Sequence, residues 1–72
     1  GQSAGQFIRN YRLNIARELV LKNRENKSMS IAEIAYEVGF NDPKYFTRCF
    51  TKYFNTTPSS LLNEREEPYL QQ

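Results

Sequence analysis

The stretch that decides the fold runs Ser30-Ile-Ala-Glu-Ile-Ala-Tyr-Glu-Val-Gly39-Phe-Asn-Asp42-Pro43-Lys-Tyr-Phe-Thr-Arg-Cys-Phe-Thr-Lys-Tyr-Phe54. It opens on a serine followed three positions later by Glu33, the reciprocal arrangement that satisfies two unpaired amides at a helix start. Ile31, Ile34, Ala35 and Val38 then share one helical face, and Glu33 and Glu37 lie opposite. Gly39 ends this short helix, because glycine best tolerates the left-handed conformation that follows a helix C-terminus. Asp42-Pro43 restarts the chain: Asp caps, and proline at the first helical position lacks only an N–H that would have no helical partner. Two helices flanking a turn of a few residues are therefore predicted.

The second of these, residues 43–54, is the most informative element. On a helical wheel Cys49, Tyr53, Phe46, Phe50 and Phe54 form a continuous apolar arc that should face a core. Lys44, Arg48 and Lys52, spaced i, i+4, i+8, stack into a basic ridge on the other side, flanked by Thr47 and Thr51 on one edge and Tyr45 on the other. No acidic residue interrupts it. The apolar arc anchors the rod, while long cationic and short hydroxyl side chains project where a DNA groove supplies phosphates and base edges. The same helix also suits a solvated basic face on a protein that binds nothing anionic.

Working outward, a helical period runs from Ser3 to about Asn23, opened by Ser3 with Gln6 three positions on. Phe7, Ile8, Tyr11, Ile15 and Leu19 fall within one arc of about 120°, and Leu13, Ala16 and Val20 form a second apolar patch beside it. This helix is apolar on two sides. Asn23 to Ser28 is polar and aperiodic, and is expected to be a connecting loop. On the C-terminal side Asn55 is suited to a left-handed helix end, and Thr57-Pro58 opens a short last helix through Leu61 and Leu62. The end of the chain carries Glu64, Glu66 and Glu67 against Arg65, then Pro68 and two terminal Gln, and reads as a polar tail. With no strand pattern, the fold class is all-α.

Seventy-two residues make one small domain, with 39% hydrophobic and 14% aromatic residues to build a core. A chain this short buries only about 60% of the surface its unfolded form exposes, so its stability is thin. With no His and only Cys49, neither an internal disulfide nor a His/Cys zinc site is available, and no metal or other cofactor is expected. Glu33/Glu37 and Glu64/Glu67 are carboxylate pairs at helical spacing. Without a His, a nucleophile or a phosphate-cradling loop they read as solvated faces, and no catalytic constellation is found. The sequons at Asn26 and Asn55 matter only in a secreted protein, and Cys49 reads as a small core hydrophobe. No apolar run reaches the roughly 18 residues of a membrane span, and residues 1–20 lack the basic-then-apolar order of a signal peptide; a cytoplasmic chain without a membrane role is expected. Net charge is only +2, but residues 1–52 hold nine basic against five acidic side chains.

A short capped helix with the small Ala35 at its middle, Gly39 at its end, a tight turn and then a basic helix is the order of a helix-turn-helix. From Ile31 through Pro58-Ser59 the residues resemble the second helix-turn-helix of the AraC/XylS-type bacterial transcription regulators, with its trailing Thr-Pro helix. Phe7-Ile-Arg-Asn-Tyr-Arg-Leu-Asn-Ile-Ala-Arg-Glu-Leu19 resembles the long helix that links the two such motifs of that family. The resemblance covers roughly residues 1–64. It implies a homeodomain-like three-helix arrangement, with residues 1–24 as linker helix and remnant of a first motif, 25–66 as the second motif with its trailing helix, and 67–72 as tail. It implies sequence-specific binding of double-stranded DNA by a fragment of a larger regulator, with a sensory or receiver part upstream, as in the output domain of a response regulator or sensor protein.

The family's base-reading positions fall on Pro43, Lys44, Tyr45 and Arg48. Proline has no side-chain donor, so readout rests on the other three. Arg48 could fork onto guanine O6 and N7, Lys44 could reach guanine or phosphate, and Tyr45 could touch a thymine methyl, donate to a phosphate, or pack at the rim against Tyr36 or Phe40. Thr47, Thr51 and Lys52 suit phosphate, as do Asn41 and the helix starts at Ser30 and Thr57, although Ser30 and Thr57 serve equally as plain caps. Arg9 and Arg12 either approach the DNA backbone or form a solvated face. With part of a larger domain missing, Ile8, Leu13 or Val20 would have lost a partner surface. The rival reading is a small helical bundle that uses its two-sided first helix for self-association or for binding another helix.

Overall fold

A computed structural model describes residues 3–26 and 28–63. Four helices follow one another: α1 (Ala4–Asn26), α2 (Ile31–Glu37), α3 (Pro43–Phe54) and α4 (Pro58–Asn63), with no strand among the described residues. The polar tail beyond Asn63, with its Glu64/Glu67 pair, lies outside the described residues, as does Lys27 of the first sequon.

Local chemistry sets each helix end. Ser3 Oγ accepts from the Gln6 amide at 3.1 Å. At α2 the full reciprocal box forms: Ser30 Oγ accepts from the Glu33 amide at 3.1 Å, and the Ser30 amide donates to Glu33 Oε1 at 2.7 Å. At the far end Gly39, at φ +103°, donates to the Tyr36 carbonyl and Phe40 to the Ala35 carbonyl, the paired bonds of a left-handed helix stop. Asp42 Oδ1 accepts from the Lys44 amide at 3.0 Å, with Pro43 at the first position of α3. Asn55, at φ 61°, closes α3 by donating its amide to the Thr51 carbonyl at 2.7 Å. Thr57 Oγ1 accepts from the Ser60 amide at the start of α4.

The core gathers Leu13, Ala16 and Val20 of α1, Ile34 and Ala35 of α2, Val38 and Phe40 of the turn, Phe46 and Phe50 of α3, and Leu61 of α4. Of the two apolar stripes on α1, the one formed by Leu13, Ala16 and Val20 packs inward, with Ala16 wholly buried. Leu13 and Val20 are thus buried at 1% and 0% exposure, which corrects the expectation that they lack a partner surface; Ile8 stays 46% exposed. Phe7, Tyr11 and Ile15 stand out to solvent beside it.

The stretch 23–28 departs most from its expected form: α1 runs on through Asn23, Arg24, Glu25 and Asn26. Asn23 is only 4% exposed. Its amide nitrogen donates to the Met29 carbonyl at 2.6 Å, and its Oδ1 accepts from the Met29 amide at 3.1 Å. Arg24 Nε donates to the Leu61 carbonyl at 2.9 Å, tying the same turn of α1 to α4. These polar side chains face inward because the backbone of the following loop and of α4 supplies them with partners.

Along the inner side of α3 the rings of Phe40, Phe46, Phe50 and Phe54 meet in sequence, with centroids 5.2, 5.6 and 4.6 Å apart. Cys49 is half-buried against this core. Tyr53, expected on the core arc, is instead 44% exposed at its edge. Its phenol needs a polar partner and finds one in Asn14, whose Nδ2 donates to it at 3.4 Å.

Candidate nucleic-acid interface

The ring chain fixes α3 about its own axis. Arg48 sits about 180° around the helix from the midpoint of Phe46 and Phe50, both of which are fully buried. Lys44, Arg48 and Lys52 are therefore all exposed along one line. Among the described residues the single ion pair is Arg17 with Glu18, at 3.9 Å, so none of the three ridge cations is tied to a carboxylate. Asp42, the acid nearest in sequence, spends Oδ1 on the Lys44 backbone amide. The outcome is a line of unneutralised positive charge held out by a rigid aromatic base, which suits a polyanion.

Tyr45 borders the ridge. Its ring packs against Phe40, with centroids 6.0 Å apart, and its hydroxyl accepts from Arg9 Nη1 of α1 at 3.4 Å. The rim-packing alternative is thus the geometry observed, with Phe40 as the ring partner, while 44% of the side chain stays exposed to reach outward. Thr47 and Thr51 are half-buried on the opposite border. Ser30 and Thr57 act as caps, each accepting from a backbone amide and keeping one O–H to donate. Asn41 is exposed in the turn between α2 and α3.

The first helix contributes more than the sequence disclosed. Arg12 Nη1 donates to the Gly39 carbonyl at 3.4 Å, and its guanidinium lies 3.1 Å from where a Cβ on Gly39 would sit. Arg12 stays exposed, as a solvated face would, while touching the turn through this one bond. Arg9 holds Tyr45, and Asn14 holds Tyr53. Between α1 and α3 an open groove of about 490 Å³ is lined by Gln6, Arg9 and Asn10 on one wall and by Tyr45, Arg48 and Lys52 on the other. No periodicity within α1 signals these pairings, since their partners lie 27 to 39 positions away.

A four-helix core that presents the charged α3 after the glycine-stopped α2 defines a DNA-binding helix-turn-helix unit of the kind found in transcription regulators. A family model described as a helix-turn-helix domain matches residues 1–64, and the chain belongs to that family, of the AraC type.

Relatives with known names are similar over most of the chain. A histidine kinase P4 of Formosa agariphila is 44% identical over 64 residues, which cover 89% of this chain and 4% of that protein. The transcriptional activator RhrA of Rhizobium meliloti is 39% identical over 85% of this chain and 19% of its own length. The probable transcription factor PqrA of Proteus vulgaris is 42% identical over 94% of this chain and 52% of its own length. The chain thus spans about half or less of each of these relatives. No solved structure gives a significant match. No described helix is long and apolar enough to cross a membrane, and no group of three potential metal ligands occurs among the described residues.

Proposed function

We infer that this chain lays α3 in the major groove of double-stranded DNA and reads sequence there as one unit of a larger AraC-type regulator. The observation that carries this is the exposed Lys44–Arg48–Lys52 line set opposite the buried Phe46 and Phe50. Lys44, Tyr45 and Arg48 are the base readers. Tyr45 works from a position braced by Phe40 and Arg9, which limits it to the edge nearest α1. Thr47, Thr51 and Lys52 contact phosphate on the flanks, and Ser30, Asn41 and Thr57 do so at the helix ends. The unit takes its input from a sensory or receiver part upstream in the parent chain, a reading supported by the histidine kinase among the longer relatives.

Binding is tested by fluorescence anisotropy on duplexes chosen from a randomised pool. Arg48→Ala is expected to cost about 1–3 kcal/mol of discrimination at one base pair, and Lys44→Ala to weaken binding alongside it. If both variants keep wild-type affinity and base preference, the assigned face is wrong. A second reading, self-association through α1, is favoured by the exposure of Phe7 at 64%, Ile8 at 46% and Tyr11 at 62%. Sedimentation of the chain without DNA separates the two.

A further inference from the structure

We propose that the groove between α1 and α3 seats a DNA backbone phosphate, with Arg9 supplied by α1 as its principal ligand and Lys52 as the second. The proposal rests on α3 entering a major groove. A helix is about 10–12 Å across and the major groove about 12 Å wide, so both flanks of an inserted helix come against phosphates, one strand on each side. On one flank stand Thr47 and Thr51, half-buried against the protein itself. On the other, the surface continues from Lys52 and Tyr45 into the 490 Å³ groove, whose far wall carries Arg9, Asn10 and Gln6.

The lining is chemically one-sided. Among the described residues no acidic side chain borders the groove, and Arg9, Arg48 and Lys52 form no ion pair. Tyr45 Oη already accepts from Arg9, and Tyr53 Oη from Asn14, so each phenol has its own O–H left to donate. The groove therefore offers guanidinium, ammonium and hydroxyl donors with little to accept in return, the complement of a phosphodiester oxygen. Arg48 and Lys52 belong at once to the ridge and to the groove wall. An anion seated there is continuous with a ligand already lying along α3, which favours the nucleic-acid backbone over a separate acidic peptide.

The test is the salt dependence of the 72-residue chain binding a mixed-sequence 20-base-pair duplex, read by anisotropy from about 50 to 200 mM NaCl. Arg9→Gln keeps the aliphatic stem and removes the charge, and circular dichroism reports whether α1 stays helical. The slope of log affinity against log salt is expected to shallow by about 0.9, so the fall in affinity across this range is about 3.5-fold smaller than in the wild type. Arg9→Lys should keep the wild-type slope, and Tyr45→Phe, which removes the phenol but not the charge, should keep it too. If Arg9→Gln leaves the slope unchanged while Lys52→Ala shallows it, the seat is refuted and the DNA reading stands. If the wild type binds no duplex at low salt, both fall. If polyglutamate binds with a dependence on Arg9 that the duplex does not show, the groove belongs to an acidic protein segment and the phosphate assignment is overturned.

Discussion

Replacing Asn23 by alanine removes both hydrogen bonds that join the last turn of α1 to the backbone at Met29. The Asn23 side chain is almost wholly enclosed, so no water stands ready to replace it. A buried backbone donor or acceptor left without a partner costs about 1–3 kcal/mol. Met29 is itself half-buried, so water reaches part of the exposed amide and carbonyl, and the expected total is about 2–4 kcal/mol for the two groups. Against a stability of about 4–11 kcal/mol for a chain of this size, that loss is large. At about 4–8 °C per kcal/mol, the thermal midpoint falls by about 8 °C or more. Urea and thermal unfolding followed by far-ultraviolet circular dichroism measure it, and hydrogen exchange at the Met29 amide reports the local opening. A loss under about 0.5 kcal/mol with an unchanged urea slope would refute the view that this amide clamps the loop.

Gly39→Ala forces an alanine into φ +103°, at a cost of about 1–2 kcal/mol in urea unfolding. Because the atoms a new Cβ meets belong to the flexible tip of Arg12, the same loss is expected in an Arg12→Ala background; a much smaller one there would show that crowding, not backbone strain, sets the cost. Phe7→Ser combined with Tyr11→Ser is expected to remove any concentration-dependent sedimentation while changing stability by no more than about 0.5 kcal/mol, since neither side chain is part of the core. Unaltered association in that double variant rules out this face.

Helix starts and stops were readable one by one because each is decided within four residues. Ser30 with Glu33, Gly39, Asp42 with Pro43 and Asn55 all do what their chemistry dictates. The ridge was readable for the same reason: a 3.6-residue period fixes direction around a helix. Direction is not depth, however: periodicity places Tyr53 on the core arc, and its phenol keeps it at the rim. Nor could periodicity choose between the two apolar stripes of α1. That choice belongs to the other helices, against which Leu13, Ala16 and Val20 are enclosed while Phe7, Ile8, Tyr11 and Ile15 are not. Asn23 and Arg24 read as loop because polarity stands for exposure in a single sequence; their partners, Met29 and Leu61, come from elsewhere in the chain. The pairings of Arg9 and Arg12 are hidden by the same distance, and the base-reading roles proposed for Lys44, Tyr45 and Arg48 rest on resemblance rather than on geometry.

The unequal burial of α1 gives it the character of a drive shaft. Its lower turns are keyed into the core by Leu13, Ala16, Val20 and Asn23, while Phe7, Ile8 and Tyr11 form an open coupling at the other end. Twenty-three residues make a stiff rod about 35 Å long, so anything mounted on the coupling is indexed in angle and height against the charged rod of α3. One residue spliced in between Tyr11 and Arg12 would turn that coupling by about 100° and lift it about 1.5 Å, a change of phase that leaves Leu13, Ala16 and Val20 keyed where they are.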